Sequence, residues 1–80
     1  MRYVYLLESV SDPQRKYIGI TSNLRKRIEE HSAGKSPHTK KFKPWRVVVA
    51  VWFATDQKAE SFETYLKSGS GHAFAKRHFG

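Results

Sequence analysis

Five side chains in this sequence are of types that can hydrolyse a phosphodiester. They are Tyr5 in YVYLLES, Tyr17 in KYIGITSNL, Arg27 and His31 in RKRIEEH, and Glu63 in AESFETYLK. That reaction needs an activated water, a cation against the charge that develops on phosphorus, and a group that eases the departure of the leaving oxygen. Arg27 and His31 are four apart, so on a helix they are neighbours on one face and could both address a single phosphate. A guanidinium suits that task because its planar fork matches phosphate oxygens and stays charged. Glu63 follows Phe62 at the edge of an apolar stripe, where a carboxylate can hold a hard cation whose shell water completes. Each residue also has a plainer reading. Glu63 could pair with Lys67 one turn on, worth about 0.3 to 0.5 kcal/mol, and the tyrosines could be core residues whose hydroxyls reach the surface.

The elements that must position these groups follow from local pattern. RYVYLLES (residues 2–9) is β-branched and aromatic with a nearly continuous apolar run, which predicts a central strand covered on both faces. Asp12 and Pro13 supply a turn, and YIGI resumes the extended pattern, giving an antiparallel hairpin with Tyr5 and Tyr17 on one side. Gly19, inside the second strand, marks a close approach of another backbone or a ligand. Thr21 or Ser22 is placed to cap a helix running to about Ala33, which Gly34 ends; Leu24, Ile28 and His31 share its stripe.

Residues 35–44, KSPHTKKFKP, carry four lysines and two prolines and read as an exposed basic loop. From it Lys35, Lys40, Lys41 and Lys43 could contact nucleic-acid phosphates or simply form solvated surface. WRVVVAVWFA (residues 45–54) has no polar alternation, which predicts a strand buried on both faces; Trp52 is expected in the core, and Trp45 at the strand edge is left open. A helix capped by Thr55 or Asp56 should carry Ala59, Phe62 and Leu66 inward and stop at Gly69, with Ser70 capping a last helix through GHAFAKRHF. His38, His72 and His78 lack metal-ligand spacing and read as surface or packing residues.

At 80 residues the chain makes one domain, residues 1–80. Its order, two strands, a helix, a third strand and two helices, is an α/β fold with a small three-stranded antiparallel sheet sandwiched between helices (ββαβαα). Five Phe, four Tyr and two Trp supply the core, and the absence of cysteine excludes disulfides and thiolate zinc cages. Neither an apolar span of membrane length nor a signal segment is present, so a cytoplasmic location and no membrane partner are expected. Fifteen Lys and Arg against seven Asp and Glu give a formal charge of +8 and a pI near 10.1. A polyanion is the expected partner, nucleic acid first of all.

The order and spacing of Tyr5, Tyr17, Arg27, His31 and Glu63 resemble the GIY-YIG nuclease superfamily over essentially the whole chain. The run LKSGSGHAFAKR is similar to its small single-domain bacterial members. The resemblance implies an endonuclease acting on DNA, on branched or damaged DNA in repair or recombination, with Mg²⁺ or Mn²⁺ as cofactor. It implies Glu63 as the metal ligand, Arg27 and His31 on the scissile phosphate, and Tyr5 and Tyr17 handling the water. Many members carry an asparagine in the last motif, whereas none follows Asn23 here. That departure keeps a second expectation open, a catalytically weak or inert basic nucleic-acid-binding module.

Overall fold

The computed structural model describes residues 1–37 and 39–80, so the expectation for His38 lies outside the described residues. Strands β1 (Arg2–Ser9) and β2 (Lys16–Thr21) form the hairpin, followed by helix α1 (Leu24–Ser32), a short 3₁₀ turn (Lys40–Phe42), strand β3 (Trp45–Phe53) and helices α2 (Asp56–Leu66) and α3 (Gly69–Phe79). The sheet order is β2-β1-β3 with both pairings antiparallel. β1 is therefore the central strand, as its unbroken apolar run requires: Val4, Tyr5, Leu6 and Leu7 are all buried.

Alternation along β1 divides the core in two. Val4 faces α2 and α3, where Ala59 and Leu66 close the cluster with Ile18, Ile20, Phe53, Phe62, Phe74 and Ala75 around them. Tyr5 and Leu7 face the other way, packing with Trp45, Tyr17, Leu24, Phe42 and Ala50. A register shift between Leu6 and Leu7 separates the two stretches of β1–β3 pairing. Beyond it Glu8 bridges the sheet, pairing with Lys16 of β2 and Arg46 of β3. Those two cations, Lys16 foremost, hold the Glu8 carboxyl below its ordinary value.

Several boundaries differ from expectation. β3 is an edge strand, not a strand buried on both faces: Val47 and Trp52 are exposed, because a strand with one neighbour and partial helix cover keeps its apolar run half open. Trp52 is accordingly 51% exposed, while Trp45 is the core tryptophan at 8%. The cap of α1 is Asn23, whose side chain accepts from the Lys26 N–H, since Thr21 is still paired to Tyr3 in the sheet. Gly34 does follow the helix with φ +76°, the left-handed conformation expected there. Thr55 caps α2 as expected, but Gly69 does not stop it. The helix closes at Lys67, and Ser68, not Ser70, caps α3 by accepting from Gly71 N–H.

Candidate active site

The register places Tyr5 opposite Gly19 and Leu7 opposite Tyr17, so the two tyrosines are diagonal neighbours on one face. Their ring centroids are 6.3 Å apart. The Tyr5 ring lies directly across Gly19. A Cβ there would overlap Tyr5 Oη and Cζ and stand 2.9 Å from Cε1, so the close approach marked by this strand glycine is that of a side chain.

α1 delivers the next two groups. His31, on the inner stripe with Leu24 and Ile28, is fully buried; its Nε2 is 3.0 Å from Tyr5 Oη and its Nδ1 is 2.7 Å from Thr39 Oγ1. The imidazole also packs on Tyr17, centroid to centroid 4.9 Å. Both ring nitrogens are engaged and the ring is inaccessible, so His31 sits in the interior while Arg27 reaches the surface. The place of the imidazole is behind Tyr5, which is itself only 1% exposed.

Arg27, one turn earlier, keeps a third of its side chain exposed and pairs with Glu30 at 3.3 Å. Desolvation opposes its charge, yet hydrogen bonding to Tyr5 and Glu30 outweighs that and raises its pKa, Tyr17 adding to the same effect. Burial pushes the Tyr5 phenol above its ordinary 10.0, against the pull of Arg27; the charge of Glu63 raises it further. Glu63 is carried by α2. It lies at the margin of the inward stripe of α2, 21% exposed, with Oε2 3.5 Å from Lys67 Nζ, so the plain ion pair is formed as well.

The donor set bears on a cation. Among the described residues no group of three or more His, Cys, Asp or Glu side chains is clustered tightly enough to cage a metal. A single rim carboxylate fits a hard divalent ion that takes its remaining ligands from water and substrate phosphate oxygens, as Mg²⁺ commonly does.

Lys35, Lys40, Lys41 and Lys43 are all exposed, as expected. The segment carrying them is not a free loop, because Ser36 and Thr39 are buried. Thr39 and Lys40 donate backbone N–H bonds to Ser36 O, and the Trp45 indole donates to Thr39 O at 2.7 Å. Thr39 therefore ties a basic strap to His31. Sequence reasoning missed it; the available signal was the indole of Trp45, which needs an acceptor once buried.

Burial of His31, assisted by Arg27 and opposed by Glu30, lowers its pKa below the ordinary 6.5. The unfolded chain then binds more protons than the fold just below pH 6.5, so stability falls as pH drops through that value toward the folded pKa. We expect the melting temperature to decline between about pH 7 and pH 5. His31→Gln, though less stable overall, should show a flatter profile in that window, and an equal slope in both proteins would refute the assignment.

The model of the GIY-YIG catalytic domain matches residues 1–77. The structure-specific endonuclease subunit SLX1 homolog of Giardia intestinalis is 40% identical over 65 residues, covering 76% of this chain and 18% of that protein. SLX1 of Debaryomyces hansenii is 37% identical, covering 94% of this chain and 22% of its own length. The chain thus spans about a fifth of these relatives. A UPF0213 protein of Cupriavidus necator is 38% identical over 81% of this chain and 70% of its own. The solution structure of a UPF0213 protein from Bacillus halodurans superposes with a TM-score of 0.59 at 28% identity, covering this whole chain and 88% of the other.

Proposed function

The chain belongs to the GIY-YIG family, and on that premise we propose that it is an endonuclease hydrolysing DNA phosphodiesters with Mg²⁺ or Mn²⁺, on branched or damaged DNA in repair or recombination. The observation that supports the reading is the placement of Arg27: a partly exposed cation one helical turn before His31, which contacts both phenols. Such a group stabilises charge as it develops on phosphorus.

In this reading Arg27 binds the scissile phosphate, exchanging its exposed pairing with Glu30 for the substrate. Tyr17, the less buried of the two phenols, orients the attacking water. Tyr5 holds Arg27 and is itself fixed by His31, which Thr39 orients in turn, so those two act as positioning residues. Glu63 would hold the cation, which when bound supplies positive charge against the pentacoordinate phosphorus and the departing oxygen. Lys35, Lys40, Lys41 and Lys43 contact backbone phosphates from the strap; binding should therefore weaken steeply with salt. The family's SLX1 members, named as structure-specific endonucleases, support the substrate class.

The test incubates purified protein with plasmid, single-stranded and branched DNA, with Mg²⁺, with Mn²⁺ and with EDTA. Cleavage that requires the metal and falls roughly 100-fold in Glu63→Gln, with the fold retained by circular dichroism, is the expected result. Cleavage unchanged by that substitution would overturn the assignment. Salt-sensitive binding with every substrate left intact would instead establish the inert module.

A further inference from the structure

The face of the sheet that carries Tyr5 continues past it. Tyr3 stands two residues from Tyr5 on β1, and the β1–β3 register sets Tyr3 opposite Trp52 and Tyr5 opposite Ala50. Residues two apart on a strand share a face, and direct partners stand side by side, so Tyr3, Tyr5, Ala50 and Trp52 form one patch. Ala50 packs against the Tyr5 cluster, whereas the neighbouring Val4 and Phe53 belong to the core on the opposite side. The Tyr5 end of the patch is buried. At the other end Tyr3 is half-buried and Trp52 is 51% exposed on an edge strand.

An indole left half open on the face of the sheet that carries Tyr5, on a chain of formal charge +8, is poorly explained by packing. It offers a flat π-face about one strand residue-pair, some 7 Å, along from Tyr5. Aromatic side chains next to a cationic site hold nucleic-acid bases by stacking, and only an unpaired base has a free face to offer. Resting on the nuclease reading above, we propose that Trp52, flanked by Tyr3, is a stacking platform for an unpaired base of the nucleic acid bound on this face. It selects substrates in which a nucleotide can leave the duplex, such as single strands and single-strand–duplex junctions. The occupant is a base rather than a second copy of the chain, because two copies bearing +8 each repel, whereas a polyanion is attracted.

Trp45 is buried and Trp52 exposed, so quenching of the accessible tryptophan emission reports Trp52. The intact protein is titrated in EDTA with a thymidine oligonucleotide and with a blunt duplex of equal length. We expect saturable quenching by the single strand and little by the duplex. Trp52→Ala should weaken single-strand binding about tenfold, with duplex binding unchanged and Trp52→Phe largely restoring affinity. Unchanged emission on binding, equal loss for both ligands, or a concentration-dependent dimer that Trp52→Ala abolishes would each overturn the proposal. The two readings fail separately. Metal-dependent cutting that ignores Trp52 sinks the platform alone, whereas quenching with no cutting sinks the nuclease and keeps the platform.

Discussion

Gly19→Ala should cost cleavage about 100-fold, the order of loss that follows when a reacting group is displaced by roughly 1 Å. The added methyl would occupy the space of Tyr5 Oη and Cζ. Tyr5 cannot swing aside, since it is 1% exposed and its hydroxyl is bonded to His31, which Thr39 fixes in turn. Either the ring tilts, breaking its bond to His31 and moving the Arg27 guanidinium, or β1 and β2 separate where Tyr5 pairs with Gly19. Overpacking of this kind destabilises by about 1 to 3 kcal/mol, so the melting temperature should fall too. Removing the hydroxyl removes the atom that clashes hardest. In a double-mutant cycle, Tyr5→Phe with Gly19→Ala should therefore be less destabilised than the sum of the single variants. Additive losses, or a Gly19→Ala protein that cuts and melts like the parent, would show that the glycine has some other purpose.

Gly71→Ala should be the most damaging substitution for the fold itself. Gly71 is buried in the first turn of α3, and a Cβ there would overlap the carbonyl oxygen of Tyr65 and lie 2.6 Å from Leu66 Cα. These are backbone atoms of the last turn of α2, with no rotamer to give way. The corner is further pinned by Ser68, whose hydroxyl donates to Tyr65 O and accepts from Gly71 N–H. The two helices would have to part, and α3 would lift Phe74 and Ala75 from the cluster around Val4, Ala59 and Leu66. We expect a loss of about 3 kcal/mol. In a domain of this size that lowers the melting temperature by about 15 °C. Gly69→Ala is the matched control: nothing lies within 4 Å of the point its methyl would occupy, so it should be neutral or slightly stabilising.

That contrast shows where sequence reasoning reaches and where it stops. Asp12 and Pro13, the apolar run of β1 and the caps at Thr55 and Gly34 are local signals, and the hairpin, the central strand and the helices follow from them. Arg27 and His31 share a helix face, as their spacing requires, but spacing gives no depth. Burial of His31 depends on Tyr5, Tyr17 and Thr39, which come from three other segments. Trp52 escapes sequence reasoning for a related reason. An apolar run without alternation looks the same in a central strand and in an edge strand whose outer neighbour is missing, and only the order β2-β1-β3 separates them. Gly69 and Gly71 stand two residues apart in one short run. What distinguishes them is the angle at which α3 leaves α2, a property of the packed corner.

The position of β1 also governs how the molecule can come apart. Every strand pairing in the sheet has β1 as one partner, and its Val4 and Tyr5 anchor the two halves of the core on opposite faces. No hydrogen-bonded subset of strands survives its loss. β2 and β3 never touch through the ladder, and the partner of β1 at Phe53 lies some fifty positions away from Arg2 along the chain. Opening should accordingly be global, with the slowest amide exchange concentrated in Val4 to Leu7 and a single unfolding transition seen from either face. The sheet should also assemble in two kinetic stages: the β1–β2 hairpin closes over a short turn, and β3 docks later across a long loop that sets the overall folding rate.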